Sequence, residues 1–211
     1  MLDSLIGELD RALRICGGAT LPSAPEGAGA YPAEAEEDGN MSERDRALSI
    51  RLMRVNHAGE IAAQALYRGQ ACSARKSETR TLLRDAADDE VEHLRWCRAR
   101  LDELGGATSV LDPLWYAGAF VIGCTAGCTG DAGSLGFVRE TERQVAEHLR
   151  GHLDRLPEGD ARSRALIRQM RSDEIAHGDA AKVRGGAELP APARQAMHLA
   201  ARVMTTLAAR I

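Results

Sequence analysis

The chain has 211 residues, a formal net charge of −4 at pH 7 and only 3% aromatic residues. That length suits one sizeable domain with extensions, while the acidic balance and scarce aromatics exclude a general nucleic-acid binder, which needs a basic face or base-stacking rings. Five cysteines, Cys16, Cys72, Cys97, Cys124 and Cys128, are odd in number and scattered, so free thiols in a reducing compartment are expected.

Leu2, Leu5, Ile6, Leu9 and Leu13 recur at helical spacing and predict a short amphipathic helix. No basic region followed by a long apolar core and a small-residue cleavage site precedes it, so no secretory signal is expected and a cytoplasmic location follows. From Gly17 to Asn40 the composition turns to Gly, Ala, Pro and acidic residues, that of a flexible linker. Ser42 then offers an N-cap, with Glu43 and Asp45 in the first turn, to a long helix reaching about Cys72. On it His57, Glu60, Gln64 and Tyr67 share a face. A second helix runs from about Ser77 to Leu104 and stops at Gly105-Gly106.

Residues 113–130, PLWYAGAFVIGCTAGCTG, carry no charge. Eighteen residues is near the minimum for a membrane span, but four glycines and the threonines weaken that reading. A helix packed into a core or lying at an interface is expected instead. Cys124 and Cys128 read as small semi-apolar residues on that packed segment. A third long helix covers about Ala132–Leu156 and is broken by Pro157-Glu158-Gly159; a fourth covers about Asp160–Arg184 and is closed by Gly185-Gly186. The last, about Ala193–Ile211, carries Met197, Ala201, Met204 and Leu207 as a stripe, and its only charges are Arg194, Arg202 and Arg210. A basic amphipathic helix of this kind suits anionic lipid or another subunit.

One pentapeptide pattern occurs twice, as DEVEH from Asp89 to His93 and DEIAH from Asp173 to His177. Residues three apart share a helix face, so Glu90 with His93, and Glu174 with His177, can each aim at one point. Composition alone would give roughly 0.03 such Asp-Glu-x-x-His elements per chain, so two are not an accident of acidic helices. The elements stand 84 positions apart, and Glu60 and Glu142 stand 82 apart. Each half of the chain is therefore a helix with a lone Glu followed by a helix with Glu-x-x-His, the parts of a carboxylate-bridged di-metal bundle. Glu92 lies about 100° around the helix from His93, and Glu140 lies about 200° from Glu142. Glu90 is thus the better ligand, and the internal repeat selects Glu142. Six metal ligands are expected: Glu60, Glu90, His93, Glu142, Glu174 and His177. Four carboxylates and two imidazoles suit two iron or manganese ions rather than a structural zinc. Asp89 and Asp173 could accept ring N–H groups of the ligand histidines. His57, Tyr67, His148 and His152 are further candidates for hydrogen-bonding or pocket roles around the site.

The stretches MRVNHAGEIAAQALYRGQ, DDEVEHLRWC, SLGFVRETERQVAEHL and QMRSDEIAHGDAA resemble the demethoxyubiquinone hydroxylase family of ubiquinone biosynthesis, over the chain from about Ser42 to the C-terminus. The family's ligand pattern falls on the same six residues. The resemblance implies an all-α, ferritin-like four-helix bundle with a di-iron site, a hydrophobic crossover helix and a C-terminal amphipathic helix. Residues 42–211 would form this domain, and residues 1–41 would be the amphipathic helix and flexible linker. It also implies a flavin-independent monooxygenase that hydroxylates a polyprenylated demethoxyubiquinol with O2 and two external electrons. NADH is a candidate donor, although no Gly-rich dinucleotide fingerprint is present. The implied partners are the polyprenyl benzoquinol, O2, the inner-membrane surface, and either a second copy of the chain or a quinone-biosynthesis complex; nucleic acid is not among them. The protein would sit peripherally on the cytoplasmic face of the bacterial cell membrane. The 113–130 segment and the Met197–Leu207 stripe are expected to form the face through which the quinol head group enters. An iron store would use the same six ligands, whereas this uncharged crossover suits a cage-forming surface poorly. A peroxide-reducing relative would need a CxxC iron site, which is absent. A tRNA-modifying hydroxylase would need an RNA face.

Overall fold

A computed structural model describes residues 7, 8, 10–12, 14, 15 and 30–211. The described residues between 7 and 15 are helical, whereas Leu2, Leu5, Ile6, Leu9, Leu13 and Cys16 lie outside the described residues. Six further helices follow: α1 (Glu43–Ser73), α2 (Ser77–Leu104), α3 (Asp112–Gly127), α4 (Asp131–Arg155), α5 (Ala161–Val183) and α6 (Ala191–Ala208). No strand occurs among the described residues. The architecture is the all-α, ferritin-like bundle expected from the sequence, with α1, α2, α4 and α5 as its four long helices and α3 as the crossover.

The boundaries follow from local chemistry. Ser42 Oγ accepts from the Asp45 amide and the Asp45 side chain accepts from the Ser42 amide, a complete capping box for α1. Gly105, at φ 72°, takes the left-handed turn that ends α2. Asp160 caps α5 by accepting from the Ser163 amide. Helices α1 and α2 form one antiparallel pair and α4 and α5 the other, and α3 runs back along the outside of α1 to join them.

The crossover is held by glycine. A Cβ on Gly123 would stand 2.1 Å from the Leu66 carbonyl oxygen, and one on Gly69 would stand 2.3 Å from that of Phe120. The α1 and α3 backbones are in contact there, and nothing larger fits between them. Residues 113–130 therefore do not form a span: no helix among the described residues is long and apolar enough to cross a membrane. The outer side of α3 keeps Leu114, Val121 and Ile122 exposed. On α6 the sides are reversed relative to expectation. Met197, Ala201 and Met204 are half-buried against the bundle, and Leu199 and Val203, with Leu207, are the exposed apolar residues.

Two apolar cores stack along the bundle. One, near the α1–α2 turn, contains Ile61, Leu83, Leu94, Val138 and Ala181. The other, near the opposite end, contains Leu52, Leu101, Leu149, Ile167 and Met170. Residues 60, 142, 174 and 177 fall between the two sets on their helices, and residues 90 and 93 sit beside Leu94 at the edge of the first. Residues 30–41, read as linker from composition, run along that far end: Ala33 is fully buried, Tyr31 packs on the second core and the Gly39 amide donates to the Gly159 carbonyl.

Candidate metal centre

Six polar side chains meet between the two cores, one Glu from α1, a Glu and a His from α2, one Glu from α4, and a Glu and a His from α5. They form two overlapping groups, Glu60, Glu90, His93 and Glu174, and Glu90, Glu142, Glu174 and His177. Within each group the candidate ligand atoms all lie within 4.8 Å of one another. Glu90 and Glu174 belong to both. The four glutamates are each 3% exposed or less. His93 is equally buried, and the His177 side chain is 23% exposed.

Four carboxylates packed this closely repel, and burial adds to the cost of their charges. Burial, opposed by hydrogen bonding to His93, raises Glu60 to about 8. Burial and the charge of Glu90 raise Glu174 to about 7, and burial and Glu174 push Glu142 well above the usual range. Glu90 goes the other way. Burial opposes its charge, but the His177 and His93 imidazoles, 3.7 and 3.1 Å from its oxygens, outweigh it and hold its carboxyl well below the ordinary value. His93 is raised despite burial by hydrogen bonds to Asp173 and Glu174, and His177 is raised by Glu90. The same donor set could neutralise two divalent cations. Glu90 Oε1, Glu142 Oε2 and His177 Nδ1 are buried without a hydrogen-bond partner. Such orphaned polar atoms are costly unless something binds them. The oxygen-rich set with two imidazoles fits iron or manganese.

The surrounding groups divide. Tyr67 Oη donates to Glu142 Oε1 at 2.5 Å and holds that carboxylate in place. Asp173 Oδ2 lies 3.3 Å from His93 Nε2, and Asp89 Oδ2 lies 3.7 Å from His177 Nε2. The aspartate of each pentapeptide therefore faces the histidine of the other copy, a pairing that the sequence repeat alone did not disclose. His57 does not enter the cluster: its Nδ1 is 3.3 Å from Asp112 Oδ2, both side chains buried, and it ties α1 to the start of α3. His148 and His152 pack on each other with ring centroids 4.0 Å apart. Ten residues of helix place His152 about 15 Å along α4 from Glu142, out of reach of the site. Burial keeps both neutral, lowering His148 to about 4 and His152 to about 2. Glu140 faces away from the cluster and pairs with Arg143 and Gln144. Two residues were missed. Trp96, one turn beyond His93, packs against its ring at 5.3 Å; its position at i+3 was the available signal. Asp112 was visible only as the edge of the uncharged segment.

The family model described as ubiquinone biosynthesis protein COQ7 matches residues 47–208. The chain is 57% identical to a protein of Ralstonia pickettii named 3-demethoxyubiquinol 3-hydroxylase, with all of both chains covered. Proteins of the same name from Cupriavidus taiwanensis and Chromobacterium violaceum are 55% and 50% identical, again with full coverage of both chains.

Proposed function

The chain belongs to the ubiquinone biosynthesis protein COQ7 family, and from that premise we propose that it is a 3-demethoxyubiquinol 3-hydroxylase whose six clustered residues hold two iron ions. The observation that carries the reading is the pair of overlapping four-donor groups sharing Glu90 and Glu174 in a buried seam. Bound there, iron would supply O2 activation, one oxygen atom going to the quinol ring and the other to water, with two electrons from an external donor such as NADH. The protein's own residues do the rest. Glu60, Glu90, Glu142 and Glu174 balance the cations; Tyr67 fixes Glu142; Asp173 and Asp89 orient His93 and His177. The bundle's two cores exclude water from the seam.

A polyprenyl tail remains in the bilayer, so the site has to meet a membrane surface. Exposed Leu114, Val121 and Ile122 on α3, and Leu199 and Val203 on α6, supply apolar faces suited to that contact. This would make the protein peripheral on the cytoplasmic face of the cell membrane, and the same faces would meet a second copy or a quinone-biosynthesis complex. Residues 42–211 would be the catalytic unit and residues 1–41 its appended segment. The test is reconstitution with ferrous iron without oxygen, then addition of O2, NADH or a chemical reductant, and a short-tailed demethoxyubiquinol. The expected product carries one added ring hydroxyl. Iron uptake and oxidation with no ring product would support an iron store instead.

A further inference from the structure

Substrate has to reach a cluster that is closed on most sides. Between α1 and α3 the backbones of Gly69 and Gly123 touch those of Phe120 and Leu66 and leave no gap at that level. Two cavities touch the cluster from elsewhere. One, of about 400 Å³, reaches Glu142 and Glu174 from the α4–α5 side, but Arg139, Arg143, Arg171 and Lys182 line it. The other, of about 750 Å³, lies between the first half of α2, the start of α4 and the end of α5. Leu82, Ala86, Leu135, Val138, Ala180 and Ala181 give it an apolar wall. His177, the most exposed of the six cluster residues, and Asp89 line it as well, together with exposed Lys76, Glu78, Asp85 and Arg184.

We propose that this α2/α4/α5 cavity binds the quinol ring, seated against the His177 imidazole, and that the tail leaves past the α1–α2 turn. The proposal rests on the hydroxylase reading. The volume suits a substituted ring, since small-molecule sites typically span about 300–1,000 Å³. The apolar wall accommodates methyl and prenyl substituents. Thr79, buried, and Ser77 and Thr81 supply hydroxyls toward which ring oxygens could hydrogen-bond. The route out is continuous with the outer face of α3. Asp131, which follows the crossover, accepts from the Arg75 and Lys76 amides beside the cavity. Ile122 is about 8 Å of helix from Gly127, where α3 ends. A tail passing the α1–α2 turn therefore meets the exposed Val121 and Ile122 without crossing the bundle.

Leu82→Trp and Ala180→Trp each put an indole into the cavity, and Ile175→Trp puts one into the charged cavity. Affinity for a demethoxyquinone with one prenyl unit is read by calorimetry, iron content by metal analysis and folding by circular dichroism. The cavity-filling pair should weaken binding and raise KM at least tenfold with iron content unchanged, and Ile175→Trp should do neither. Leu82→Ala, which enlarges rather than blocks the cavity, should bind quinones with bulkier ring substituents more tightly than the wild type does, a gain that misfolding cannot mimic. Unchanged affinity and KM in iron-loaded Leu82→Trp and Ala180→Trp would overturn the proposal. A wild-type protein that binds the probe, loses it on Leu82→Trp and yet never hydroxylates it would uphold the cavity and refute the hydroxylase reading.

Discussion

Arg100→Ala should be the most destabilising single change outside the apolar cores. Its guanidinium is buried and donates to Asp160, Asp38, Glu103 and Ser163, at 2.7 to 2.8 Å in each case. Asp38 and Glu103 keep side-chain exposures of 24% and 31% and can return to water. Asp160 cannot, because it is fully buried and is already engaged in capping α5. Removing the arginine therefore strands one buried carboxylate, which costs about 3–5 kcal/mol. In a chain of this size that corresponds to a fall in Tm of roughly 6–20 °C. Thermal and urea denaturation of the metal-free protein measure it directly. Arg100→Met with Asp160→Ser removes the stranded charge but keeps a capping oxygen, so the double variant should be more stable than Arg100→Met alone. The exposed Arg150–Glu147 pair is the contrast, and Arg150→Ala should leave Tm unchanged. A loss below about 1 kcal/mol for Arg100→Ala would refute the reasoning, since it would mean that Asp160 finds water or another partner.

Glu142→Ala and His177→Ala should abolish hydroxylation and lower bound iron while leaving the helical circular dichroism intact; an active Glu142→Ala protein would show that the wrong carboxylate had been chosen. Tyr67→Phe removes the hydroxyl that fixes Glu142 and should weaken metal affinity or activity about 10–100-fold, read by competitive chelation and turnover. Gly123→Ala should displace α3 and cost about 1–3 kcal/mol, whereas Gly118→Ala, with open space at its Cβ, should be neutral or mildly stabilising in the same melts. His152 is lowered to about 2 in the fold, so below about pH 6.5 the unfolded chain takes up a proton that the folded one refuses. The stability it confers is complete above that pH and is lost as pH falls, by about 2 kcal/mol between pH 6.5 and 5. His152→Phe should therefore narrow its difference from wild type as the solution is acidified; parallel stability curves would contradict this.

The bundle was legible because each long helix carries its own signals. Ser42 with Asp45, Gly105 and Asp160 mark ends by chemistry that works locally, and their positions fell within a residue or so of the observed ones. The six-residue cluster was legible for a related reason: a three-residue helical spacing and a repeat between halves encode which side chains share a face. What spacing cannot encode is which helix lies opposite. The crossed pairing of Asp173 with His93 and Asp89 with His177 depends on how α2 and α5 meet. His57 and His152 shared a face with a ligand glutamate, but His57 was taken by Asp112 and His152 lay too far along its helix. Residues 30–41 read as linker because their contacts are made by far-off partners, Arg100, Arg162 and Gly159, that composition does not reveal.

Iron titration coupled to a single turnover distinguishes a two-iron hydroxylase from any other use of the six-residue cluster. Protein loaded anaerobically with increasing ferrous iron is mixed with isotopically labelled O2, reductant and a short-tailed demethoxyubiquinol, and labelled ring hydroxyl is counted against bound iron. Little product is expected while only one ion is bound per chain, then a steep rise to one labelled oxygen per chain once the second ion is bound. Product proportional to the first ion, or two oxidised ions per chain with no labelled ring, would contradict it.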